Sequence, residues 1–311
     1  MNKLDQFELL MAMDANHMPT EYGNDIFHYT SSGGFQSILF SDSDKLTLWA
    51  SRYTCLNDSS EGTIAEEILK EVCIELRDSG EISPYLFDLF SNVKTARTIL
   101  LHRHEGDTVK ITRPECHRYV CSFSKNSDSL AMWNYYSKGN MYEGFNIGLY
   151  SFVLKENLEV LFRNLEAVPH IYPVIYEKSQ QKQLIQKLLL RLTELYEKDK
   201  ETEIRYIISN RLLDWALVFK KDYFQHEEEV RIIIDVAKRE QNIPIKYRTY
   251  SGYVIPYIEL KLDKYNVSCV NFGPLQANES QIKQQLQVME EMLMQNNYSA
   301  LVDYSKIPIR Y

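Results

Sequence analysis

RYVCSFSKNSDSLAMWNYYSKGNMYEGFNIGL, residues 118–149, is the stretch that decides the fold. Residues 118–124 are rich in β-branched and aromatic side chains and read as a strand. Residues 128–136 read as a helix that Ser127 or Asp128 starts. Residues 144–149 alternate apolar positions and read as a second strand. A strand–helix–strand unit of this length belongs to an α+β or α/β protein.

Upstream, residues 26–30 read as a strand and 31–39 as a helix that Ser31 or Ser32 caps. Residues 45–50 are β-prone, and a loop at 57–60 leads into a helix over 63–76. That helix spaces Ile64, Ile68, Leu69, Val72 and Leu76 at helical intervals. A second helix is expected over 84–101, and a short amphipathic one over 3–14. Downstream, strands are expected over 168–176, 230–236, 245–249, 253–262 and 267–272. A helix is expected over 278–295 and an edge strand over 307–311. Between the strand-rich halves, residues 179–222 read as two helices broken near Asp199, with Leu184, Leu188, Leu192 and Leu195 on one face. The sum is a single α+β domain over 1–311 with a helical insertion at 179–222.

Composition bounds the function. The chain has 311 residues, 44% hydrophobic and 25% charged, with 11 Gly and 9 Pro. Those values fit a folded globular chain and argue against long low-complexity linkers. A net charge of −8 without a basic run argues against a general nucleic-acid binder. The five cysteines are irregularly spaced, with neither a Cys-x-x-Cys pair nor zinc-finger spacing. Reduced thiols, an acidic start unlike a signal peptide and the lack of a long apolar run lead to the expectation of a cytoplasmic chain with no membrane segment.

Three short motifs bear chemistry. His28 stands near a strand end in Phe27-His28-Tyr29-Thr30, followed by Ser31 and Ser32. A ring so placed, with hydroxyls beside it, can meet a ligand; it can equally hydrogen-bond inside a core. The second motif runs from Ser122-Phe123-Ser124 through Ser129 to Trp133 and Tyr136. Those last three fall near one helix face, which can stack a flat ring or simply fill a core. The third is Glu227-Glu228-Glu229-Val230-Arg231. A strand beginning near Glu227 would place Glu227, Glu229 and Arg231 on one face and Glu228 on the other. Arg231 would then pair with one carboxylate, because two unpaired carboxylates so close repel.

Together with Asn57-Asp58-x-x-Glu61 and Phe272-Gly273-Pro274, these motifs resemble a bacterial family catalogued as a domain of unknown function, over roughly residues 25–295. The Trp typical of that family before Glu-x-Glu-x-Arg is replaced here by Tyr223 or Phe224. The family in turn resembles ADP-ribosyltransferases of the His-Tyr-Glu class, which implies a split β core with NAD as co-substrate and no metal. On that resemblance His28 and Thr30 bind a ribose, Tyr136 or Trp133 stacks on nicotinamide, and Glu229 is catalytic. Glu227 is a second catalytic carboxylate, while Tyr29, Ser124, Ser129 and Arg231 complete the ligand-contacting set. The usual strand Tyr of the second motif is missing, and Glu227, Glu228 and Glu229 all remain candidates for the catalytic position. The resemblance implies transfer to a protein or nucleic-acid acceptor, or hydrolysis of NAD, in a toxin or phage-defence effector. Two other classes stay open: a metal-dependent nuclease built on Asp58, Glu61, Glu227 and Glu229, and a non-catalytic module that binds a nucleotide or peptide.

Overall fold

The computed structural model describes residues 18–56, 63–93, 98–102, 108–112, 115–136, 144–196, 201–274 and 278–308. The expected helix at 3–14, together with Asp58 and Glu61, lies outside them. The protein is a mixed α+β structure.

In chain order the elements begin with β1 (Ile26–Thr30), α1 (Ser32–Phe40) and β2 (Lys45–Arg52). Next come α2 (Ile64–Asp78), α3 (Pro84–Ser91), β3 (Thr98–His102) and β4 (Thr108–Thr112). The unit read first from sequence follows as β5 (Cys116–Ser124), α4 (Leu130–Tyr136) and β6 (Phe145–Leu149). After it stand α5 (Ser151–Phe162), β7 (Ala167–Pro173), α6 (Lys178–Glu194) and α7 (Glu201–Trp215). The chain continues through β8 (Glu229–Ala237), β9 (Lys246–Tyr250), β10 (Tyr253–Asp263) and β11 (Val267–Phe272) to α8 (Glu279–Gln295) and β12 (Leu301–Tyr304).

Backbone contacts divide the chain into two compact units. One takes residues 57–115 and 174–224 with 1–20, so the helical stretch expected at 179–222 groups with the helices of 57–115. In it α2 packs on α6, burying Ile68, Leu69, Val72 and Leu76 from one helix and Ile185, Leu188, Leu189 and Leu192 from the other. Lys178 and Lys182 pair with Glu71 across that packing, and Lys182 also with Glu75. The helix expected over 84–101 ends at Ser91, where the Asn92 N–H still bonds the Asp88 carbonyl at 3.3 Å. Thr98 and Ile99 are β-branched, and Thr98–His102 pairs antiparallel with Thr108–Thr112 instead of extending the helix.

The other unit takes residues 21–56, 116–173 and 225–311. Its sheet runs β12-β11-β6-β1-β5-β2-β10-β9, with β8 on the second edge of β5 and β7 on β8. Only the β11–β12 pair is parallel among these described pairings. Ser31 caps α1, its hydroxyl accepting from the Gly34 N–H at 3.3 Å. A Cβ at Gly34 would lie 2.0 Å from Thr30 Oγ1, so a larger residue there would force the Thr30 side chain to move. Of the edge strand expected at 307–311, Ile307 and Pro308 are not in a strand and residues 309–311 lie outside the described residues; an edge strand is seen at Leu301–Tyr304.

Candidate functional site

The sheet forks at β5. On one edge β5 pairs with β8 along its whole length, from Cys116↔Ala237 to Ser124↔Glu229. Two strands share the other edge: β1 at Phe27↔Ser124, and β2 at Ser51↔Val120 and Arg52↔Tyr119. Cys121, Ser122 and Phe123 lie between those pairings. A cavity of about 170 Å³ opens there, with walls from β1, β2, β5, α4, β9 and the start of β8. One water needs only ~10–15 Å³, so the space is of ligand size.

His28 is held at the fork. Its Nδ1 lies 3.0 Å from the Ser122 carbonyl, which can only accept, so Nδ1–H is the donor. Burial holds the His28 pKa below its ordinary value against the raising effect of that hydrogen bond. The neutral ring therefore keeps its proton on Nδ1 and a lone pair on Nε2. The Phe123 ring packs on it, with centroids 5.3 Å apart.

The loop from Ser124 to Ser129 sets α4. The Ser124 hydroxyl donates to the Glu227 carbonyl at 2.9 Å and accepts from the Asn126 N–H at 3.1 Å. Tyr29 OH donates to the Asn126 carbonyl and accepts from the Ser129 N–H, at 2.8 and 2.9 Å. Burial pushes the Tyr29 hydroxyl up to about 12. Trp133 is 1% exposed; it stands edge-on to Tyr29 at 4.6 Å and gives its indole N–H to Asp128 Oδ1 at 2.8 Å. Tyr136, one turn on, is 44% exposed and lines the cavity.

The acidic motif enters differently from its expected alternation. Strand β8 begins at Glu229, and Glu227 closes a 3-10 turn, Asp222–Glu227. Between them Glu228 has φ 45°, a left-handed conformation that breaks the two-residue period. Its carbonyl accepts from the Lys125 N–H at 2.8 Å and its Oε1 from Asn126 Nδ2 at 2.9 Å. The kink still brings Glu227 and Glu229 to the cavity together. Arg231 grips Glu229 in a fork, Nε to Oε1 and Nη2 to Oε2, both 2.9 Å, with both side chains buried.

The structure thus gathers His28, Tyr29, Tyr136, Glu227 and Glu229 at one cavity. Trp133, Ser129, Ser124, Thr30 and Arg231 are not among its lining residues. Lining residues missed from the sequence include Trp49, Ser51 and Arg248. Trp49 had a signal: it is a 43% exposed aromatic between the buried Leu48 and Ala50, stacked on Tyr257 at 4.5 Å. Arg248 had none, because its strand reads as a solvent-facing hairpin. Among the described residues no group of three or more His, Cys, Asp or Glu is arranged to hold a metal ion. No helix among them is long and apolar enough to cross a membrane.

Fold and site define a mixed α+β protein with a forked sheet and, at the fork, a cavity lined by apolar, aromatic and charged side chains. Residues 132–232 match the model of a family described as a protein of unknown function, DUF2971. That segment carries Trp133, Tyr136 and the Glu-x-Glu-x-Arg motif, and is narrower than the span of the resemblance read from sequence. No curated protein and no solved structure matches the chain.

Proposed function

We propose that the cavity binds NAD and that the protein cleaves its nicotinamide–ribose bond, as an ADP-ribosyltransferase or NAD glycohydrolase. One observation carries this reading: His28, Tyr136, Glu227 and Glu229, from distant parts of the chain, line a single cavity at the fork of the sheet. The His28 Nε2 lone pair accepts from a ribose hydroxyl, and Nδ1 is fixed by the Ser122 carbonyl. Tyr136 forms a wall for the flat nicotinamide ring. Bond cleavage builds positive charge on the ribose. A carboxylate whose orientation is fixed beforehand stabilises that charge as it develops. Glu229 fits the role, since the Arg231 fork fixes its plane. Glu227 lines the same cavity, which supports a role in orienting or deprotonating the attacking hydroxyl. Toxin or phage-defence effector is the cellular role that goes with this chemistry.

The test is incubation of the full chain with NAD and detection of free nicotinamide by mass spectrometry. Wild type releases it, and Glu229→Gln binds NAD but releases far less. Binding without release by wild type would make the cavity a recognition module, and failure to bind NAD would remove the proposal.

A further inference from the structure

The same cavity holds a guanidinium that the catalytic reading leaves unused. Arg248 sits on β9 opposite Ile255 of β10; two residues along β10, Tyr257 pairs with Ser51 of β2, and Ser51 pairs with Val120 of β5. Side chains at these paired positions share a face. Arg248 therefore extends across about two strand spacings, ~10 Å, toward the fork. There its Nη2 donates to Ser51 Oγ at 3.0 Å, and both residues line the cavity. Its Nε is buried without a hydrogen-bond partner. Among the described residues no carboxylate pairs with Arg248, although Lys246 on the same strand has taken Glu259 at 2.7 Å.

A buried N–H without an acceptor is costly, and a guanidinium offers five donors in a planar fork that suits a phosphate. The same cavity is also lined by Glu227 and Glu229. A ligand that satisfies both kinds of charge carries hydroxyls or a cationic ring together with an anion. We infer that Arg248, seated on Ser51, is an anion subsite that takes a phosphate of a nucleoside diphosphate moiety. This rests on the NAD reading for the kind of ligand, but its test does not need bond cleavage.

The experiment is isothermal titration of the full chain with ADP and, separately, with adenosine, at fixed ionic strength. Wild type should bind ADP ~10- to 100-fold more tightly than adenosine, the range of a charge-assisted contact. Arg248→Gln, shown folded by its circular dichroism melt, should lose that difference with adenosine affinity unchanged. Arg248→Lys should keep part of it, because charge remains without the fork. Equal binding of ADP and adenosine by wild type, no binding of ADP, or an undiminished difference in Arg248→Gln would overturn the subsite. Should Arg248→Gln fail to fold, an undiminished difference in Arg248→Lys would do the same. An Arg248-dependent difference without nicotinamide release from NAD leaves the subsite standing and ends the transfer reading. Nicotinamide release with a KM for NAD unchanged in Arg248→Gln does the reverse.

Discussion

Two arginines near the fork are treated in opposite ways. Arg231 is buried beside Glu229 and meets both of its oxygens. Arg248 meets a serine hydroxyl and leaves one buried N–H unanswered. The first charge is answered inside the protein, so it holds structure. The second is answered poorly, so the protein gives up little by offering it to something else. Pairing, more than position in the cavity, separates a charge that builds the site from one that recognises a ligand.

Breaking the first pair should have the largest effect. Arg231→Met leaves the Glu229 carboxylate buried without its fork and should cost about 3–5 kcal/mol in urea unfolding. Combining Arg231→Met with Glu229→Leu should recover most of that loss, since two apolar side chains need no counter-charge. A single variant as stable as wild type would show that the fork is not a structural pair. The next effect is catalytic: Glu229→Gln should reduce nicotinamide release ~10²–10³-fold with NAD affinity nearly kept. Glu228→Gln is the control and should be close to wild type, since its carboxylate binds Asn126 and does not line the cavity. Turnover lost in Glu228→Gln and kept in Glu229→Gln would reverse the assignment.

A smaller effect belongs to His28. Its folded pKa lies below the ordinary 6.5 because burial disfavours the charged ring. The unfolded chain takes up a proton near pH 6.5 and the folded chain resists it. The stability tied to His28 is therefore full above that pH and declines as the pH falls toward the folded pKa. Denaturation of wild type and His28→Asn at pH 7.5 and 5.5 should show their stability difference shifting against wild type at the lower pH. A difference independent of pH would mean that the ring is not held neutral. Smallest of all, Arg248→Gln should leave unfolding stability nearly unchanged, because the lost Ser51 hydrogen bond is offset by removal of a buried N–H that has no acceptor. A loss as large as that of Arg231→Met would erase the contrast between the two arginines.

Legibility in the sequence followed the strength of local patterns. Strand β1 is a short run of apolar and aromatic residues and the helix after it has a hydroxyl cap, and the expected bounds of β1 match the structure. The helix after Asn278 has a capping box, a signal confined to four residues. Strand β12 was missed because it is a short edge strand whose pairing with β11 is parallel and has no apolar run of its own. Helix α5 was overlooked although Leu154, Leu158 and Phe162 recur every four residues and are buried. At the site, the choice between Trp133 and Tyr136 needed the loop geometry that gives the indole to Asp128. The acidic motif does not follow the alternation expected of it: Glu228 has φ 45° and β8 starts at Glu229, yet Glu227 and Glu229 line one cavity. Arg248 depended on register across four strands, which no local window contains.

The fork at β5 also sets a timetable for synthesis. One edge of β5 is completed by strands made before it, at residues 26–30 and 45–52, and the other by a strand made long after, at 229–237. Contacts so distant in sequence form late and slowly. A chain emerging from the ribosome has His28 and the β5 floor well before it has Glu227, Glu229 or Arg248. Until that last third is out, the nascent chain has none of the charged residues of the cavity. On the NAD-cleaving function proposed above, every unfinished copy would be inactive.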